Sequence, residues 1–158
     1  MHRYKQLLLL FSLFLGLFFS KNAFGQGDYA YAVGLRAGNP LAISGKYFFA
    51  DAHAVEAILG IQQPRGWGLT ALYEYHGDFN WRGDANWFVG GGLSLMLNRT
   101  PDFSVGGDII VGYEYTFPTL PINLALDWKP GYAYNPKKPS EYGLDLLQAS
   151  LTLRYAFK

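Results

Sequence analysis

The stretch that decides the fold is 147–157, Leu147-Gln148-Ala149-Ser150-Leu151-Thr152-Leu153-Arg154-Tyr155-Ala156-Phe157. With period two, Leu147, Ala149, Leu151, Leu153, Tyr155 and Phe157 fall on one face. Gln148, Ser150, Thr152, Arg154 and Ala156 fall on the other. Such alternation predicts a β-strand with one apolar side. The apolar side is unbroken and turns aromatic only at its end, while the opposite side carries a full charge.

Working outward, the chain repeats this pattern. Of its 158 residues half are hydrophobic and 18% aromatic, with Phe 12, Tyr 12 and Trp 4, and there is no Cys. Disulfides, thiolate metal sites and cysteine nucleophiles are therefore excluded. The length fits one domain. Residues 1–25 read as a cleavable signal peptide, leaving 26–158 as the barrel domain proposed below. His2, Arg3 and Lys5 form a basic start, Leu7 to Phe19 an apolar run, and Ala23-Phe24-Gly25 the small-residue cleavage site before Gln26. The apolar run is shorter than the ~20 residues of a spanning helix. Losing Arg3, Lys5 and Lys21 leaves 10 basic against 12 acidic residues, a net charge of −2. That balance carries no footprint for nucleic acid.

Seven more segments alternate in the same way: Tyr29–Ala37, Leu41–Phe49, His53–Ile61, Trp67–His76, Trp87–Leu97, Ser104–Phe117 and Ile122–Lys129. Turn signals separate them, among them Gly38-Asn39-Pro40 and Pro118–Pro121. Gly131 to Gly143 reads as the longest connection, with Lys137 and Lys138 at its middle. Eight strands allow an antiparallel up-and-down sheet to close without a free edge. The expected fold is all-β: an eight-stranded antiparallel up-and-down transmembrane β-barrel.

The charges decide which face is inside. Opposite the apolar faces lie Arg36, Lys46, Lys129 and Arg154 together with Glu56, Glu74, Asp108, Glu114 and Asp127. An eight-stranded barrel encloses room only for its own side chains or one small ligand. It could not hold the bulky residues that each strand offers. The apolar faces are therefore expected outward, toward lipid, with the nine charges forming a paired interior network. Inward glycines, including Gly34, Gly90, Gly92 and Gly112, would make room for long charged side chains. Phe48, Ile58, Leu72, Phe88, Met96 and Ile110 interrupt the polar face and are read as plugs near the barrel ends or packed against the glycines.

Strand reversal supplies an independent check. Outward aromatics gather at the end that holds both termini: Tyr29, Tyr31, Tyr47, Phe49, Tyr73, Tyr75, Trp87, Tyr115, Phe117, Tyr155 and Phe157. A girdle at a membrane interface has this distribution. Trp67 and Trp128 fall at the opposite end as a sparser ring.

With these residues in place, the chain resembles the small eight-stranded outer-membrane barrels of the OmpA/OmpX type of diderm bacteria. The segments Gly106-Gly107-Asp108-Ile109-Ile110-Val111-Gly112-Tyr113-Glu114-Tyr115-Thr116-Phe117 and Leu126-Asp127-Trp128-Lys129-Pro130 are also similar to a recurrent outer membrane β-barrel family with no assigned activity. The resemblance implies a cell outer membrane location. It implies a lipid and lipopolysaccharide environment, and recognition of the last strand, ending in Phe157, by the barrel-assembly machinery. A monomer is expected, without cofactor or metal.

Some members of such folds are lipid A acylases or deacylases, which need His with Ser and a carboxylate at the outer leaflet. His53 and His76 fall at the terminus-bearing end and on opposite faces, and two His lack a third metal ligand. The reading is a non-catalytic integral protein with a structural, envelope-stabilising or interaction role. The alternatives are a lipid-modifying enzyme, a narrow pore and a secreted ligand binder.

Overall fold

The computed structural model describes residues 29–62, 66–79, 84–98, 102–137 and 143–157. The signal peptide expected over 1–25 lies outside them, as does Lys138. The strands are β1 (Tyr31–Gly38), β2 (Leu41–Ala50), β3 (His53–Gln62), β4 (Gly66–Asp78), β5 (Ala85–Asn98), β6 (Phe103–Thr116), β7 (Ile122–Trp128), β8 (Gly131–Tyr134), β9 (Gly143–Asp145) and β10 (Ala149–Phe157). Each pairs antiparallel with its neighbour, and β1 joins both β2 and β10, so the sheet closes on itself.

These ten segments make eight barrel strands. β6 pairs with β7 and β8 in one continuous register, Val111 opposite Trp128 and Asp108 opposite Gly131. The interruption is Lys129-Pro130, where proline has no N–H for the ladder. Its carbonyl still accepts from the Ile109 amide at 2.9 Å. Likewise β9 and β10 form one strand broken over 146–148, where the Leu147 amide turns to Asp145 Oδ1 at 3.1 Å.

This corrects the expectation of a long loop over Gly131 to Gly143. Gly131–Tyr134 and Gly143–Asp145 pair as a hairpin that extends the wall. Tyr132 and Tyr134 continue the outward alternation beyond Pro130, which had read as the end of a strand. The expected last strand, Leu147–Phe157, starts two residues later, at Ala149.

The stagger of the barrel follows from the register. From Asn123 the pairing runs through Arg154, Gly34, Ser44, Ile58, Thr70, Ser94 and Gly106 and returns to the seventh barrel strand at Ala133, ten residues further on. Closure with stagger requires tilted strands, about 35–45° in barrels of this kind. The lumen that results is narrow.

Alternation then sorts the side chains. In β10, Ser150, Thr152, Arg154 and Ala156 are buried, whereas Leu151, Leu153, Tyr155 and Phe157 are exposed. β4 and β6 follow the same rule. Two apolar clusters interrupt the polar lumen. One joins Ala42, Ile58, Leu72, Phe88, Ile110 and Ala125; the other joins Tyr29, Ala32, Phe48, Ala54 and Ala156. Met96 is only half-buried and belongs to neither.

Phe88 fits because its partner across the ladder is Gly112. A Cβ on Gly112 would lie 2.5 Å from the Phe88 ring and 2.6 Å from the Leu126 carbonyl oxygen. The ring could shift only into its packed neighbours, and the carbonyl cannot. Gly112→Val should therefore destabilise the barrel by the ~1–3 kcal/mol typical of overpacking. A lowered midpoint of heat-modifiable gel migration would register it, and an unchanged midpoint would contradict this packing.

Candidate functional site

The nine charged residues of the polar face all lie inside the barrel: Arg36, Lys46, Glu56, Glu74, Asp108, Glu114, Asp127, Lys129 and Arg154 are each at most 6% exposed. They come from β1, β2, β3, β4, β6, β7 and β10 and the Lys129 break, so seven of the eight barrel strands contribute and β5 contributes none. A lone buried charge costs several kcal/mol, and each of these has a partner.

The largest group centres on Lys46 and Arg154. Arg154 sits opposite Gly34, whose missing side chain lets the neighbouring backbone approach closely. Its guanidinium donates to Glu56 Oε1 at 2.5 Å, to Ser44 Oγ at 2.9 Å and to Asn123 Oδ1 at 3.2 Å. The planar fork of arginine suits this spread of acceptors. The Ser44 hydroxyl in turn donates a hydrogen bond to Glu56 Oε1 at 2.5 Å. One residue of the last strand thereby joins β2, β3 and β7.

Lys46 presents a point charge to three carboxylates. Its Nζ lies 2.7 Å from Glu74 Oε2, 3.1 Å from Glu114 Oε2 and 3.8 Å from Glu56 Oε2. It also stands 4.3 Å above the Phe88 ring, a cation–π contact that repays part of its desolvation. Two further pairs stand apart. Arg36 grips Asp127 with both terminal nitrogens, Nη1 to Oδ2 at 2.6 Å and Nη2 to Oδ1. Lys129 Nζ donates to Asp108 Oδ1 at 2.7 Å.

Besides the neutral partners Ser44 and Asn123, two ring-bearing members of this site were not anticipated. His76 follows the parity of Glu74, and its Nε2 lies 3.0 Å from Glu74 Oε2 and its Nδ1 3.4 Å from Glu114 Oε1. The shared parity with Glu74 was the available signal. Tyr29 is the second, and it corrects the girdle. Expected outward with Tyr31, it is only 2% exposed and its hydroxyl donates to Glu114 Oε1 at 3.2 Å. Strand parity does not reach it, because β1 begins at Tyr31 after a bend at Ala30. The alanines Ala32, Ala54 and Ala156 leave the space it fills.

The other ten girdle residues, Tyr31, Tyr47, Phe49, Tyr73, Tyr75, Trp87, Tyr115, Phe117, Tyr155 and Phe157, are exposed or half-buried. Tyr31 stacks on Phe157 at 4.8 Å, and Tyr115 meets Phe117 edge-on at 4.9 Å. His53 sits among Phe49, Tyr73 and Tyr75 on the outer surface, with Nδ1 2.5 Å from the Tyr73 hydroxyl. Trp67 and Trp128 are exposed at the opposite end.

Chemically, the interior group is an ion-pair lattice closed on itself. Ser44 bonds to Glu56 and Arg154, whereas His76 bonds through Nε2 to Glu74 and lies between Phe48 and Phe88. Among the described residues no group of three or more His, Cys, Asp and Glu could hold a metal ion. No described helix is long and apolar enough to cross a membrane, which says nothing of strands that might cross one.

The class is thus a closed eight-stranded antiparallel β-barrel with a charge-paired interior and an apolar outer surface. No protein-family model and no curated protein matches the chain.

Arg154→Met removes the side-chain hydrogen bonds from the last strand to Ser44, Glu56 and Asn123 and takes the arginine partner away from the buried Glu56 carboxylate. It should cost about 3–5 kcal/mol. Leu151→Met, outward on the same strand, should cost less than ~1.5 kcal/mol. Thermal unfolding of the two variants side by side decides the point, and equal losses would contradict the lattice.

Proposed function

We propose that the protein is an integral outer-membrane β-barrel with a structural, envelope-stabilising or interaction role and no catalysis. One observation carries this reading: a continuous apolar belt surrounds a barrel whose charges are inside. Leu35 is 67% exposed, Leu93 74%, Leu126 58% and Leu153 54%. Soluble monomers rarely expose contiguous apolar patches beyond a few hundred Å². Hydrocarbon accepts such a surface, and a closed barrel leaves no unpaired strand edge within it. The aromatic ring at the end holding β1 and β10 supports an interfacial girdle.

On this reading the partners are outer-membrane lipid and lipopolysaccharide, with the assembly machinery engaging the last strand, and the barrel acts as a monomer. The apolar clusters and paired charges that fill the lumen argue against conduction. His53 and His76 stand on opposite sides of the wall, which argues against a shared catalytic site. The direct test is fractionation: the protein should travel with outer membrane, resist carbonate extraction and migrate faster unheated than heated. Release by carbonate would overturn the reading.

Depth offers a second test. Leu35 lies in the middle of β1 between Ile43 and Leu153. Leu35→Arg should cost ~2–4 kcal/mol for folding into bilayers, and Phe49→Arg at the girdle ~0–1 kcal/mol. Equal costs would contradict a lipid-facing belt.

Orientation is read by cysteine labelling, since the parent has no Cys. Lys137→Cys, at the exposed end of the β8 side, should react with an impermeant thiol reagent on intact cells. Thr119→Cys, in the exposed turn between β6 and β7, should react only after the envelope is opened. Reversed labelling would put the aromatic end outward and His53 near the outer leaflet.

A further inference from the structure

We propose that Tyr29 is a removable stopper that closes the girdle-end mouth of the barrel over the ionic cluster. The proposal rests on the barrel itself and not on its placement in a membrane.

The buried aromatic rings that surround this cluster differ in how they are held. Phe48 and Phe88 belong to strands paired on both sides, so their positions are set by the ladder. Tyr29 precedes β1. The chain beside it is fastened by two backbone bonds at Ala30, whose amide donates to Phe157 O at 3.3 Å and whose carbonyl accepts from the Phe48 amide at 2.9 Å. Beyond them the phenol turns inward rather than following Tyr31 to the surface.

Its place is at the foot of a column of rings. Tyr29 meets Phe48 edge-on at 5.3 Å, Phe48 meets His76 at 4.6 Å, and His76 stacks on Phe88 at 5.3 Å. The hydroxyl end reaches Glu114, which also faces Lys46 and His76. A single residue held outside the strands thus contacts both the apolar floor and the charged group above it. Small side chains line its seat: Ala32, Ala54 and Ala156 would leave the mouth open if the ring withdrew.

The cluster beneath would then meet water. Glu74 Oε1 and His76 Nδ1 are buried without a hydrogen-bond partner, so entering water would find open positions on both. The effect would be local. Ile58, Leu72 and Ile110, with Ala42, belong to a separate apolar cluster, and the Lys129–Asp108 pair is not bonded to the groups around His76. Withdrawal of Tyr29 opens an inner chamber and not a channel.

Diethylpyrocarbonate, which acylates imidazole nitrogen, reads this directly on the folded protein in detergent, with modified peptides mapped by mass spectrometry. In the parent, His53 on the outer surface should react while His76 stays protected until the barrel is heated apart. Tyr29→Phe keeps the ring and loses only the bond to Glu114, so His76 should remain protected. Tyr29→Ala should leave a folded, heat-modifiable barrel in which His76 loses its protection and reacts on the timescale of His53. If that variant yields no barrel, Tyr29→Leu is read in the same way. Parent His76 reacting as fast as His53, or a folded Tyr29→Ala barrel with His76 still protected, overturns the proposal. Failure of both Tyr29→Ala and Tyr29→Leu to fold also overturns it, because a stopper can be removed with the wall left standing.

Discussion

Everything in this protein depends on the width of its lumen. Eight strands closed with a ten-residue stagger leave space for side chains and little else. Charges confined there cannot reach bulk water, so each needs a partner within hydrogen-bonding reach. The solution is economical in strands: Arg154 alone reaches acceptors on β2, β3 and β7, and Lys46 is shared by Glu56, Glu74 and Glu114. Five carboxylates face four Lys and Arg side chains, and neutral donors serve the surplus. Ser44 donates to Glu56 and Tyr29 to Glu114. Breaking one link leaves a buried charge uncompensated, so the lattice specifies a closed barrel more strongly than any one pair would.

The same narrowness explains the glycines and the alanines. Gly112 yields to Phe88, and Ala32, Ala54 and Ala156 yield to Tyr29 and Phe48. Large interior groups are accommodated opposite small ones, as close packing demands. Where several apolar residues meet, as around Ile58, Leu72 and Ile110, they divide the polar interior into separate groups. A barrel filled in this way has its rigidity from within. Its outer surface is free to be uniformly apolar, and that freedom is the physical basis of the membrane reading.

Two features depart from a uniform tube. The β8–β9 hairpin carries the wall past the Pro130 and Leu147 irregularities, with Trp128 Nε1 bonded to Leu146 O at 2.7 Å beside the break. At the other end Tyr29 folds into the mouth. The first lengthens one side of the wall beyond the short β1–β2 turn. The second makes the two ends unlike: one has a buried ring from outside the strands turned into it, the other is edged by extended strands.

The sequence by itself determined the strand count, the antiparallel closure and the sorting of faces. Period-two alternation is local and strict, so Leu151 and Arg154 must point opposite ways wherever the strand lies. The volume of an eight-stranded lumen then leaves the charges inside. Only the tertiary structure decided who meets whom. The partners of Arg154 lie 31, 98 and 110 residues away, and their proximity depends on the stagger, which no single strand encodes. Residues at strand ends were likewise beyond reach. Tyr29 turns inward because Ala30 bends the chain before the ladder begins, and Gly131–Tyr134 remains wall because the β6 register continues past a proline that breaks only one hydrogen bond. Alternation holds only while the ladder holds. At its ends, the space left by neighbouring side chains decides.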